Sequence, residues 1–183
     1  MRIIGHVPAS NSGLVANVPT YMGSASLHLF AMGFLEVAEI STERAVENRC
    51  SIDAVIPATL SLFRHSVELF LKYLLYDLRV VDAGTPVEGH RVLDVFEQHR
   101  SQVALALECE RASGFDRREW LDRFESLIRG VHEMDPDGQS IRYPSSLNMA
   151  PNHGGGYAIS TKHLARCIAE AREVFGRYGE RNC

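Results

Sequence analysis

The stretch from Pro57 to Arg79, PATLSLFRHSVELFLKYLLYDLR, constrains the fold more than any other part of the chain. At 3.6 residues per turn, Leu60, Phe63, Val67, Phe70, Leu71, Leu74 and Leu78 fall on one side of a helix. Ala58, Leu62, Leu69, Tyr73 and Tyr76 form a second apolar face, roughly opposite. A helix apolar on two sides must be covered by more than one neighbour, so this one is expected at the centre of the molecule. Between the two faces runs a ridge of Arg64, His65, Glu68, Lys72 and Arg79. Arg64–Glu68 and Glu68–Lys72 are i,i+4 pairs and His65–Glu68 is i,i+3, so these side chains can touch. Two readings follow. The ridge is a solvated set of ion pairs, each worth ~0–1 kcal/mol, or it is a polar cluster at a cleft. Its position between apolar flanks predicts Glu68 paired with Arg64 or Lys72 and at least partly buried.

Other helices are expected on both sides of this one. From Tyr21 to about Asn48, Leu27, Phe30, Phe34, Val37 and Ala38 recur at helical spacing, with Ser41-Thr42 as a bend or break. Asp53 is the expected N-cap of the central helix. Gly84-Thr85-Pro86 ends that helix, and the next begins near Gly89-His90 and carries Val92, Val95, Phe96, Val103 and Leu107. Asp116 and Glu119 approach a capping box ahead of Trp120, Leu121, Phe124, Leu127, Ile128 and Val131. Asp135-Pro136-Asp137-Gly138 is a turn in which Pro fixes φ and Gly accepts positive φ. A short extended piece, 140–143, and an irregular run with a triple-glycine tip lead to a last helix capped by Ser160 or Thr161. The expected fold is all-α: a bundle of about five helices spanning 21–183 as one domain, with a short extended N-terminal arm at 1–20 and a long loop before the last helix.

Composition narrows the partners. Of 183 residues, 19 are Lys or Arg and 23 are Asp or Glu, a net charge of −4, so the chain has no global attraction for nucleic acid. The four cysteines, Cys50, Cys109, Cys167 and Cys183, are far apart, as in reduced cytosolic proteins. There is no signal-peptide pattern and no uninterrupted apolar run of about 18 residues, so the expectation is a cytoplasmic protein without a membrane partner.

Several chemistries are not supported. Carboxylate-bridged di-metal bundles need two Glu-x-x-His pairs, and His65-x-x-Glu68 is the reverse order and occurs once. His153-Gly154-Gly155-Gly156 looks like an esterase oxyanion loop, but no Gly-x-Ser-x-Gly elbow accompanies it. No phosphate-cradling Gly-x-x-x-x-Gly-Lys loop occurs. Neither a metal nor any other cofactor is expected. Two polar clusters remain: Arg64, His65, Glu68 and Lys72 on the central helix, and Asp135, Asp137, Arg142 and Tyr143 around the turn, preceded by Arg129 and His132, which at i,i+3 can face one cleft.

Arg64-His-Ser-Val-Glu68-Leu-Phe-Leu-Lys72, then Gly89-His90-x-x-Leu93, then Asp135-Pro-Asp-Gly-Gln-Ser-Ile-Arg142-Tyr143-Pro144, resembles a bacterial branch of the HEPN-domain proteins over about residues 20–177. The resemblance implies a five-helix bundle, frequent homodimerisation and roles in toxin–antitoxin and antiphage systems. Many members are metal-independent endoribonucleases; others bind nucleotides, RNA or protein partners without catalysis. The family's ribonuclease motif places a His four to six residues after an Arg at the start of a late helix. No Arg here has a His at that distance: Arg129 and His132 are too close, Arg91 and His99 too far apart.

Two functions from different classes are therefore expected to compete. An endoribonuclease needs a general acid/base near neutral pKa and a cation at the developing phosphate charge; Arg64, His65, His132 and Arg142 would supply these if they converge. A binding module would use Glu68, Lys72, His90, Arg129, Asp135 and Tyr143 for RNA, a nucleotide, an antitoxin or another defence protein. The turn at Asp135–Gly138 is expected to return Arg142 and Tyr143 towards the central helix, close to His65 and Glu68.

Overall fold

A computed structural model describes residues 24–82, 85–109, 115–138 and 158–180. They build five α-helices: α1 (Ser24–Val46), α2 (Ile52–Asp77), α3 (Val92–Cys109), α4 (Arg117–Met134) and α5 (Thr161–Glu180), with no strand among the described residues. The chain is an all-α bundle. The doubly apolar stretch is the body of α2, which packs against all four other helices. α1 lies on α2 and α5, while α4 lies between α3 and α5. The expected arm at 1–20, the piece carrying Arg142 and Tyr143, and the glycine-rich tip lie outside the described residues.

Aromatic rings fill the space where α2, α4 and α5 meet. Phe70 of α2 stacks on Phe175 of α5, ring centres 3.8 Å apart and nearly parallel. Phe124 of α4 presents its edge to Phe70 and to Phe96 of α3, an arrangement that aligns ring edges with ring faces. Two polar ends are satisfied inside this core. The Trp120 indole donates to the Val174 carbonyl at 2.7 Å, and the Tyr178 hydroxyl donates to Asp77 at 2.8 Å. His28 of α1 packs on Phe70 and Tyr73; burial lowers its pKa and the nearby Asp77 carboxylate only partly opposes this.

The helix ends follow local rules with two corrections. α4 starts as expected: the Asp116 carboxylate accepts from the Glu119 backbone N–H at 2.9 Å. α5 is capped by Ser160, whose hydroxyl accepts from the His163 N–H. The N-cap of α2, however, is Ser51 and not Asp53. Asp53 sits inside the first turn, where its carboxylate faces the positive end of the helix dipole without leaving helical geometry. Nor do Ser41-Thr42 break α1. Thr42 is buried and its hydroxyl donates to the Ala38 carbonyl at 2.8 Å, so the helix itself satisfies it. α2 is long and apolar enough to cross a bilayer on those two counts, yet 61% of its apolar window is buried inside the bundle.

α2 ends with the Val80 N–H reaching back to the Leu75 carbonyl at 2.9 Å, while Arg79 adopts φ +56°. This is a Schellman-type stop, whose left-handed residue is usually Gly. A side chain there costs about 1–2 kcal/mol. Arg79→Gly is therefore expected to stabilise the protein by up to about 1 kcal/mol, since Gly also gains entropy on unfolding. A thermal melt in which Arg79→Gly is no more stable than wild type would contradict this.

Candidate functional site

The charged ridge of α2 is buried. Arg64 is 1% exposed and Glu68 3%, although both are charged side chains on a helix that could have faced water. Burial of this kind requires every donor and acceptor to find a partner. The Arg64 Nη1 donates to Glu68 Oε2 at 3.0 Å and Nε donates to the backbone carbonyl of Asp135 at 2.9 Å. Nη2 donates to the backbone carbonyl of His90. The Asp135 carboxylate, itself buried, adds charge at 3.8 Å.

Glu68 is the second hub. Its Oε1 accepts from Lys72 Nζ at 3.0 Å and lies 3.0 Å from Nδ1 of His90. Oε2 faces Arg64, with His65 Nδ1 at 4.0 Å. Burial pushes the Glu68 carboxyl pKa up, but hydrogen bonds from Lys72 and His90 and the Arg64 charge outweigh it, and the net shift is downward.

Three segments distant in sequence meet at this point. The loop after α2 delivers the His90 carbonyl and imidazole, and it is tied again to α2 through the Tyr76 hydroxyl, which donates to the Thr85 carbonyl and accepts from the Val87 N–H. The end of α4 delivers Asp135. The turn that follows brings Gly138 against the guanidinium, at φ +73°. A Cβ there would lie 2.6 Å from Nη1 and 2.7 Å from Cζ of Arg64. Gly138 is thus required twice, by its dihedral angle and by the cation that passes over it.

The structure brings together Arg64, His65, Glu68, Lys72, His90 and Asp135. His65 also packs edge-on against Phe34 of α1. His90 is the most exposed member, with 71% of its side chain open to solvent. Arg129 takes another direction: its guanidinium bonds Glu125 and reaches Glu97 on α3. The His132 Nδ1 is buried and has no hydrogen-bond partner among the described residues. Arg142 and Tyr143, and with them their expected return to the central helix, lie outside the described residues; the turn preceding them places Gly138 against Arg64 of α2. Sequence reasoning passed over two features. Gly138 both forms the turn and admits the Arg64 guanidinium, which turn chemistry alone does not show, and His163 and Cys167 form an i,i+4 pair on α5 whose spacing is visible in the sequence. Among the described residues no group of three or more His, Cys, Asp or Glu side chains is placed to hold a metal ion.

Fold and cluster together define an all-α helical bundle locked by a buried arginine clamp. No family model, curated protein or solved structure matches the chain.

The clamp makes two predictions. Gly138→Ala should destabilise by about 2 kcal/mol or more, from left-handed strain plus displacement of Arg64. Gly33→Ala in α1, where a Cβ meets nothing within 4 Å, should instead stabilise by up to about 1 kcal/mol. Equal melting temperatures for the two variants would refute the clamp.

The second concerns acid. A carboxylate whose folded pKa is depressed contributes stability above its unfolded pKa and loses it as pH falls through the folded value. Glu68, Glu125 and Glu173 are all depressed, the first by Lys72, His90 and Arg64 against burial, the others by surface arginines. Stability should therefore fall below about pH 4, and added salt should weaken the surface contributions more than that of Glu68. Glu68→Ala should cost about 3–5 kcal/mol at neutral pH by stranding Arg64. Chemical denaturation against pH, at low and high salt, reads both effects.

Proposed function

We propose that this chain is a HEPN-like helical module that works by binding, as a nucleotide-, nucleic-acid- or protein-partner-binding component of a bacterial toxin–antitoxin or antiphage system in the cytoplasm. The observation that carries this reading is the occupied state of Arg64. A cation that stabilises a pentavalent phosphate must have donors free to meet the developing charge. The Arg64 side chain is buried and its nitrogens are engaged by Glu68, Asp135 and His90. Glu68 likewise holds Lys72, the other cation of the cluster. The acidic net charge gives no broad field to draw in a long polyanion. The resemblance to the HEPN family supplies the biological setting and the expectation of a homodimer. Exposed aliphatic side chains on α1, Leu29, Val37 and Ile40, are available for such a contact.

A metal-independent endoribonuclease is the second reading, and one observation favours it. His65 and His90 bring imidazoles from the buried cluster to the surface beside Lys72, which is the residue chemistry that proton transfer at a ribose hydroxyl needs.

Incubation of wild type and of His65→Ala, His132→Ala and Arg142→Ala with mixed RNA in EDTA separates the two. The binding reading expects no cleavage by any of them. Cleavage by wild type that the variants lose would overturn it in favour of the nuclease. Light scattering on the same samples should give twice the 20.4 kDa chain mass; a monomer at micromolar concentration would remove the homodimer.

A further inference from the structure

A groove of about 930 Å³ opens between the C-terminal half of α4 and the N-terminal half of α5. Leu60 and Phe63 of α2 form its floor; Leu127, Val131 and Leu164 are among its apolar walls. This volume is in the range of small-molecule sites, roughly 300–1,000 Å³. In its α5 wall, Cys167 Sγ lies 3.6 Å from Nε2 of His163, one turn earlier. Cys167 is a free thiol, half-buried. Burial raises its pKa, so it rests as a neutral thiol beside an imidazole. That state resists oxidation, which follows the thiolate, but keeps a base within reach of the proton. Lys162 and Arg166 stand one turn apart on α5, both exposed, with Arg166 on the lining of the groove. Arg123 is held by Glu170 and Glu173.

We propose that Cys167 is an acyl-acceptor site, modified from a long-chain acyl thioester of a polyanionic carrier such as coenzyme A. The chain lies on the apolar groove, the thioester carbonyl reaches Cys167, and the carrier's phosphates meet Lys162 and Arg166. Sγ adds to the carbonyl carbon as Nε2 of His163 takes the thiol proton. The tetrahedral intermediate collapses with loss of the carrier thiolate, which receives that proton. One thioester is exchanged for another, with no change of oxidation state and no further reactant. This site is separate from the arginine clamp and does not depend on the function assigned above.

The test incubates the full chain with palmitoyl-CoA or acetyl-CoA and reads intact mass, peptide maps and hydroxylamine release. The expected result is one hydroxylamine-labile palmitoyl group on Cys167, formed at least about tenfold faster than on Cys50 or Cys109 and faster than acetylation. His163→Gln should slow it by about 100-fold, the lower end of general-base contributions. Gly130→Leu places a side chain in the groove at a helical position where a Cβ meets nothing within 4 Å, and it should block palmitoylation while leaving acetylation. No adduct, equal labelling of Cys50 or Cys109, no preference for the long chain, or a rate unchanged in His163→Gln or Gly130→Leu would each overturn the proposal. The chain-length comparison on wild type decides the matter even if a variant fails to fold.

Discussion

A guanidinium taken out of water is the constraint on which this bundle depends. Arg64 carries five N–H donors in a fixed fork and no acceptor, and it is 1% exposed. The helix that carries it can meet only part of that demand, through Glu68 one turn away. The remaining acceptors must come from elsewhere, and they are backbone carbonyls at the ends of two separate segments, His90 and Asp135. The loop after α2 and the end of α4 are therefore fixed relative to α2 by one side chain. Such clusters add little net stability over an apolar core of equal volume, but breaking one is costly. Here the return is geometric: only one arrangement of three segments presents its acceptors to the fork.

The clamp and the aromatic stack divide α2 between them. Phe70 meets Phe175 and Phe124 on the side towards α4 and α5, while Arg64, Glu68 and Lys72 run along another line of the same helix. The rings adopt stacked and edge-to-face geometries that join α2, α4 and α5, but they do not tie the loop after α2 or the turn after α4. The hydrogen-bonded cation supplies register. Gly138 shows how tightly: the turn passes so near the guanidinium that no Cβ fits.

Much of this was legible in the residues. The double apolar face placed α2 at the centre, and i,i+4 spacing paired Arg64 with Glu68 and Glu68 with Lys72. The Asp116 cap was read from local chemistry. Other features were not legible for physical reasons. A backbone carbonyl has no residue identity, so the acceptors at His90 and Asp135 could not be named in that role. Arg129 was expected in the cleft with His132 because i,i+3 neighbours share a face; it lies instead beside Glu125 and Glu97, whose placement depends on how α3 packs against α4. Asp53 was expected as the cap of α2, but Ser51 is an equally good cap residue type two positions earlier, so residue type alone does not fix where the helix begins.

The groove and the clamp are linked through α2 despite their separate chemistry. Leu60 and Phe63 floor the groove, and Arg64 follows Phe63 directly while lying one turn from Leu60. Any shift of α2 that relaxes the clamp must also move that floor, because a helix translates or rotates as a rigid element. Asp135 sits one residue beyond Met134 on the groove wall, so the carbonyl that holds Arg64 also fixes the end of that wall. An arginine bonded through all three of its nitrogens can in this way set the depth of a site it never touches. Its burial then acts on the groove through shape, by way of the helix that the two share.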